Sequence, residues 1–195
     1  AAFDRVLCAL PPPLLAELDT DLSDSRRTGL RALVAHPAGK LAFHAARRFW
    51  EEDAAIYGGI SWTTRDATQL WYPSHGFHAQ GGVLVGTYAW DDAPARRFAA
   101  RTPAERAAAA AADGEALHAG YAREVAHPVS VSWPRMPRAR GAWTEWTEAQ
   151  RRDLYPVLRA PEGPYHFAGE YLSFLPGWQE GAVLSAWAAV EGMAA

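Results

Sequence analysis

Short stretches of alternating apolar and polar residues, broken by turn formers, make up most of the chain. Gly39-Lys40-Leu41-Ala42-Phe43-His44 alternates with the two-residue period of a half-buried strand. Residues 56–62, 67–72 and 82–88 are rich in β-branched and aromatic side chains and are parted by Gly, Pro, Ser and His, so they predict neighbouring strands of a mainly antiparallel sheet. Residues 3–10 read as a buried strand ended by Pro11-Pro12-Pro13, residues 129–133 as a further strand, and residues 165–170 as a strand delivering a glycine and a carboxylate at its end. Residues 47–53 read as a turn anchored by Phe49 and Trp50.

Helices are signalled by their ends. Thr102-Pro103-Ala104-Glu105 combines a capping threonine, a proline at the first helical position and a capping-box glutamate. It predicts a helix running to about residue 124. Thr147-Glu148-Ala149-Gln150 opens a shorter one on the same principle. Residues 14–18 and 26–34 read as short helices, and residues 179–190 as a helix whose small residues Gly181, Ala182, Ser185, Ala186 and Ala189 suit close packing on a sheet. The chain enters its first strand with no initiator Met or signal peptide, which predicts a piece cut from something longer.

Composition narrows the class. With 195 residues, 49% hydrophobic and 21% charged, the chain is globular. A formal net charge of -3 provides no field for a phosphate backbone, which argues against nucleic acid as a partner. No apolar run approaches the roughly 18 residues of a membrane span. The one cysteine, Cys8, leaves no internal disulfide and fits either side of a cell membrane. Of the 19 basic residues 18 are arginine, so Lys40 stands alone. Nine tryptophans are expected mostly in core or interface.

Candidate chemistry is found by subtraction. His75 and His78 share a glycine-rich turn with no second ligand pair, so they read as loop residues and no metal site is expected. Gly-x-Ser-x-Gly, Gly-x-Gly-x-x-Gly and Walker loops are missing from the sequence. There remains Phe167-Ala168-Gly169-Glu170-Tyr171-Leu172-Ser173, followed by Pro176-Gly177-Trp178-Gln179-Glu180-Gly181-Ala182. Read physically, a carboxylate lies near a helix start whose amides favour negative charge. Glu170 either accepts sugar-like hydroxyls or merely offsets the helix dipole, and the residues alone favour the second. Lys40 alone reads as a tolerant surface position, and Trp143 and Trp178 as core.

The string FAGEYLSFLPGWQEGAVLSA, however, closely resembles the C-terminal flavin-binding signature of the flavin amine oxidases. The resemblance extends over nearly the whole chain through DRVLCALPP, GKLAFHAARRFWEED, GGVLVGTYAWDDA and VSWPRMPRARGAW, in the family's order. It implies an α+β fold, the C-terminal part of a two-domain flavin amine oxidase: residues 1–35 in the FAD-binding domain, 36–140 in a mixed or antiparallel substrate-binding domain, and 141–195 as the closing strand and helix of the FAD-binding domain. It implies FAD as cofactor, held by Gly169, Glu170, Gly177, Trp178, Gln179, Gly181 and Ala182. By the same resemblance Lys40 is the catalytic lysine that holds a water near the flavin, and Trp143, Trp178 and Gly177 flank the substrate amine. The implied reaction converts an L-amino acid, L-glutamate first, to 2-oxo acid, ammonia and hydrogen peroxide. Oxidation of another amino acid, a primary amine or a polyamine is the alternative, as is a non-catalytic interaction subunit, against which Lys40, Glu170 and Trp178 argue. Because the family's dinucleotide fingerprint and carboxylate-binding arginine are not in these residues, further chains of the same precursor are the expected partners. A dimer of the assembled protomer is expected, outside the cell, with the cytoplasm as the alternative.

Overall fold

A computed structural model describes residues 3–194; residues 1, 2 and 195, at the outer ends of the first and last expected segments, lie outside the described residues. In chain order the elements are β1 (Val6–Cys8), α1 (Pro12–Leu15), α2 (Asp24–Ala32), β2 (Val34–Ala35), β3 (Gly39–Ala45), α3 (Phe49–Glu52), β4 (Ile60–Trp62), β5 (Gln69–Trp71) and β6 (Gly82–Ala89). There follow α4 (Asp92–Ala100), α5 (Pro103–Glu115), α6 (Tyr121–Glu124), β7 (Val125–Ser132), β8 (Thr144–Glu145), α7 (Glu148–Asp153), α8 (Tyr155–Arg159), β9 (Tyr165–Phe167) and α9 (Gln179–Ala194). Two compact units result: one takes the residues up to His36 and from Pro137 on, the other Pro37–Met136.

The Pro37–Met136 unit is built on an antiparallel sheet in the order β4-β5-β6-β3-β7. Alternation decides which way each strand faces. Leu41, Phe43 and Ala45 of β3 point into a core with Trp50, Leu70, Leu84, Phe98, Ala110 and Tyr121, while Lys40 and His44 point out. α5 covers that core and starts on the expected capping box, with the Thr102 side chain accepting from Glu105 N and the Glu105 side chain from Thr102 N. The Asp113 carboxylate on α5 accepts from Ala67 N at 2.9 Å, fixing the helix to the turn before β5.

In the other unit β1 pairs in parallel with β9, and β2 antiparallel with β8. Its core gathers Leu15, Leu22, Leu30, Leu158, Phe167, Tyr171 and Leu172. Buried Arg26 donates to the carbonyls of Val157, Leu158 and Ala160 at 2.7–2.8 Å and pairs with Glu162 at 2.8 Å. It thereby satisfies carbonyls that the end of α8 would otherwise leave open.

Several expectations are corrected. The strand over residues 3–10 shortens to Val6–Cys8, with Val6 and Leu7 exposed, because β9 is the one strand beside it among the described residues. β4 starts only at Ile60, since Gly59 at φ +93° breaks the strand before it. Residues 14–18 give way to α1, and the second helix spans Asp24–Ala32 with Ser23 as its cap, leaving Val34 to β2. The turn at 47–53 contains helix α3. The helix expected to reach residue 124 stops at Glu115; Gly120 at φ +84° reverses the chain, and the Tyr121 ring packs where a side chain on Gly114 would stand. β7 begins at Val125, and Trp133 opens a 3-10 turn. The strand over 165–170 ends at Phe167, because Gly169 at φ +154° bends the chain and Glu170–Leu172 form a 3-10 turn. Of the tryptophans Trp50 alone is fully buried, whereas Trp62, Trp71, Trp133, Trp178 and Trp187 are exposed.

Candidate functional site

The C-terminal candidates are brought together by one carboxylate. Glu170 Oε1 accepts from Thr144 N at 2.9 Å and Oε2 from Gly177 N at 2.7 Å. Thr144 follows Trp143 and Gly177 precedes Trp178, so the carboxylate ties together the two turns that carry the expected aromatic pair. Charge-assisted bonds of this kind are about twice as strong as neutral ones.

Glycines permit the local geometry. Gly169 at φ +154° lets the chain leave β9, and a side chain there would run into the Tyr171 ring. Its N–H donates to Ser185 Oγ at 2.9 Å, and that hydroxyl donates back to Gly169 O at 2.8 Å, fastening α9 to the end of β9. Gly181, in the first turn of α9, lies so close to the Leu175 carbonyl and Ser173 Oγ that any Cβ would overlap them. Gly177, at φ +80°, rests against Trp143, where an added Cβ would be 3.4 Å from Cγ.

Trp143 is held from behind as well. The His36 ring stacks on it at 4.3 Å and 14°, His36 N donates to Trp143 O at 2.7 Å, and His36 Nδ1 meets Glu145 Oε1 at 2.7 Å. Trp178 has no such support among the described residues and is 71% exposed. Gln179 begins α9, whose first-turn amides have no carbonyl one turn earlier in the helix to bond.

Beside these residues lies a cavity of about 360 Å³. Gly169, Glu170, Tyr171, Ala182, Trp143 and Arg138 contribute to its wall. Arg138 brings a guanidinium that the sequence did not single out. The Tyr171 hydroxyl is buried with no hydrogen-bond partner among the described residues, and burial pushes its pKa up, so it remains a neutral donor. Gly177, Trp178, Gln179 and Gly181 are not among the residues lining this cavity.

In the Pro37–Met136 unit, Lys40 projects from the exposed face of β3. Its Nζ lies 4.3 Å from the centroid of the Tyr88 ring and 5.7 Å from that of Trp71. Tyr88 is directly opposite Lys40 in the β3–β6 register. Burial raises the Tyr88 pKa, so its phenol stays uncharged beside the ammonium. Neither ring was singled out for Lys40 from sequence, because the pairing joins residues 48 positions apart across a bulge between Leu41 and Ala42.

Comparison with known proteins places these features in context. The sequence profile described as flavin containing amine oxidoreductase matches residues 1–194. An L-amino-acid oxidase of Siganus canaliculatus is 34% identical over 176 residues, 89% of this chain and 33% of that protein. An L-glutamate oxidase precursor of Streptomyces diastatochromogenes is 33% identical over 186 residues, 88% of this chain and 26% of that protein. The chain thus spans about a third or less of these relatives' length. Among solved structures, putrescine oxidase bound to putrescine superposes with a TM-score of 0.82 at 22% identity, over 98% of this chain and 43% of that one. Cyclohexylamine oxidase from Brevibacterium oxydans gives 0.81 at 23%, over 97% and 42%. These likenesses show the fold.

Proposed function

We propose, from the premise that this chain belongs to the flavin-containing amine oxidoreductases, that it forms the flavin-facing and substrate-facing part of an L-amino acid oxidase, with L-glutamate the first substrate to test. FAD is the cofactor of this family, and the cavity residues fit its polar middle. Glu170 offers acceptor lone pairs to sugar-chain hydroxyls, and Arg138 a cation to a phosphate. When bound, FAD supplies a two-electron acceptor for the substrate α-carbon hydride and a route for those electrons to oxygen.

The chain's own residues set the conditions for that chemistry. Trp178 and Trp143 offer apolar rings that exclude water and keep a substrate amine neutral and oriented. The start of α9 favours negative charge on whatever lies against it. Lys40 adds the one lysine ammonium of the sequence and a donor for an ordered water. Overall, amino acid, oxygen and water yield 2-oxo acid, ammonia and hydrogen peroxide. The observation that carries this reading is the Glu170 carboxylate bonded at once to the turns of Trp143 and Trp178.

Two further parts of the reading concern assembly and place. The dinucleotide-binding remainder is assigned to further chains of one precursor, assembled as a dimer and secreted. The relative named as an L-glutamate oxidase precursor supports the processing part of this reading. Among the described residues no helix is long and apolar enough to cross a membrane. The decisive assay measures peroxide release by the flavin-loaded protein across L-amino acids, their D-enantiomers, primary amines and putrescine. Turnover of L-glutamate is expected. Turnover of amines alone would overturn the amino-acid assignment, and a flavin that no substrate reduces would leave a non-catalytic subunit.

A further inference from the structure

Lys40 is held in an unusual way for a sole lysine. Among the described residues it forms no ion pair. Two aromatic rings take the place of an anion. Tyr88 and Trp71 meet each other edge to face at 5.8 Å and 63°, and both turn toward the ammonium. Each ring is itself restrained: Tyr88 by its place opposite Lys40 across β3 and β6, Trp71 by a hydrogen bond from Nε1 to the buried Gln69 Oε1 at 2.6 Å.

The choice of rings over a carboxylate has a physical consequence. A lysine side chain has four rotatable bonds, and an anion would fix it at the cost of cancelling most of its field. A ring quadrupole attracts the ammonium and limits its rotamers while leaving a full positive charge. Such an arrangement suits a group whose task is to act on negative charge developing elsewhere. We propose that Tyr88 and Trp71 are positioning residues for Lys40, holding its ammonium aimed and unneutralised. The inference rests on the reading of Lys40 given above and adds two residues to it.

The test uses the flavin-loaded protein, reductively methylated with 13C-formaldehyde, a modification that keeps the lysine charge; loss of one signal in Lys40→Arg assigns Lys40. Ring currents should shift that methyl signal upfield in the wild type and in Tyr88→Phe, which keeps the ring. Tyr88→Leu and Trp71→Leu should move it back toward free dimethyl-lysine. In rapid mixing with oxygen, Tyr88→Leu should slow flavin reoxidation roughly three- to tenfold, the range a lost cation–π contact supports, and Tyr88→Phe should restore it. Trp71, being exposed, tolerates replacement and carries the test if Tyr88→Leu does not load flavin. An unshifted Lys40 signal in the wild type overturns the proposal. So does unchanged reoxidation in folded leucine variants while Lys40→Met slows it, and that result leaves the role of Lys40 standing. If Lys40→Met itself reoxidises normally, the functional reading of Lys40 falls, and the positioning role with it.

Discussion

At the scale of single residues, exposure separates a working side chain from a structural one. Trp50, fully buried beside the Arg48 guanidinium, is a core residue whose loss would cost folding. Trp178, 71% exposed, contributes little to the fold, so its replacement should be felt elsewhere. Trp178→Ala should lower kcat/KM by about 2–4 kcal/mol of transition-state stabilisation, as expected for a lost positioning group, with little change in melting temperature. Activity per bound flavin, measured beside thermal unfolding, checks this. Normal turnover in a destabilised protein would make Trp178 structural. Trp143 belongs between these extremes, because the His36 ring and the Gly177 turn already occupy much of its surface.

At the scale of elements, the Glu170 carboxylate does for two turns what a capping side chain does for one helix. Glu170→Gln keeps one oxygen but places an amide nitrogen opposite a backbone N–H, so one bond is lost with a donor facing a donor, and the remaining bond is no longer charge-assisted. The expected cost is about 1–3 kcal/mol of stability, with weaker FAD binding read by flavin fluorescence on dilution. Unchanged affinity and stability would remove Glu170 from the site. This bracing was invisible in the sequence, since its partners are backbone amides of residues 26 and 7 positions away. What was legible was local: the alternation of β3, the neighbouring strands β4, β5 and β6, and the capping boxes at Thr102 and Thr147, each carried by a few adjacent residues. α4 went unseen because its start at Asp91 makes no side-chain cap and carries Pro94 in its first turn. The β2–β8 pair, two residues a side, has no period to detect. The site residues of the C-terminal stretch were named through a resemblance, whereas Arg138, Tyr88 and Trp71 needed three-dimensional neighbours.

At the scale of the molecule, pH and surface decide how the folded chain behaves. Inside the Pro37–Met136 unit, His118 Nε2 and the Tyr72 hydroxyl are hydrogen-bonded at 2.7 Å, with the Phe49 ring edge-on at 5.6 Å and Tyr121 alongside. Burial lowers the His118 pKa, and the ionisable side chains against it, Tyr72 and Tyr121, carry no balancing charge. The unfolded state therefore binds this proton more readily, so stability is full above about pH 6.5 and is lost as pH falls from there toward the lowered folded value. Urea unfolding at pH 7.5 and pH 5 should show a drop in wild type that His118→Gln lacks; equal drops would clear His118 of the effect.

Two apolar surfaces set the last expectation. On α9, Val183, Leu184, Trp187 and Val190 form one exposed stripe, while Gly181 and Ser185 face inward, so the helix is apolar nearly all round. On the outer face of the sheet, Ile60, Trp62, Trp71, Val83 and Val129 are exposed as well. Patches of this kind mark surfaces to be covered, and a net charge of -3 gives little repulsion to keep copies apart. Residues 1–195 purified alone should therefore self-associate at micromolar concentration. The association should strengthen with sulfate and resist sodium chloride, as apolar contacts do and ion pairs do not. Sedimentation velocity across a concentration series reads this directly, and Trp187→Glu with Val183→Glu should shift the boundary toward monomer. A wild-type chain that stays monomeric throughout would mean that these faces need no cover.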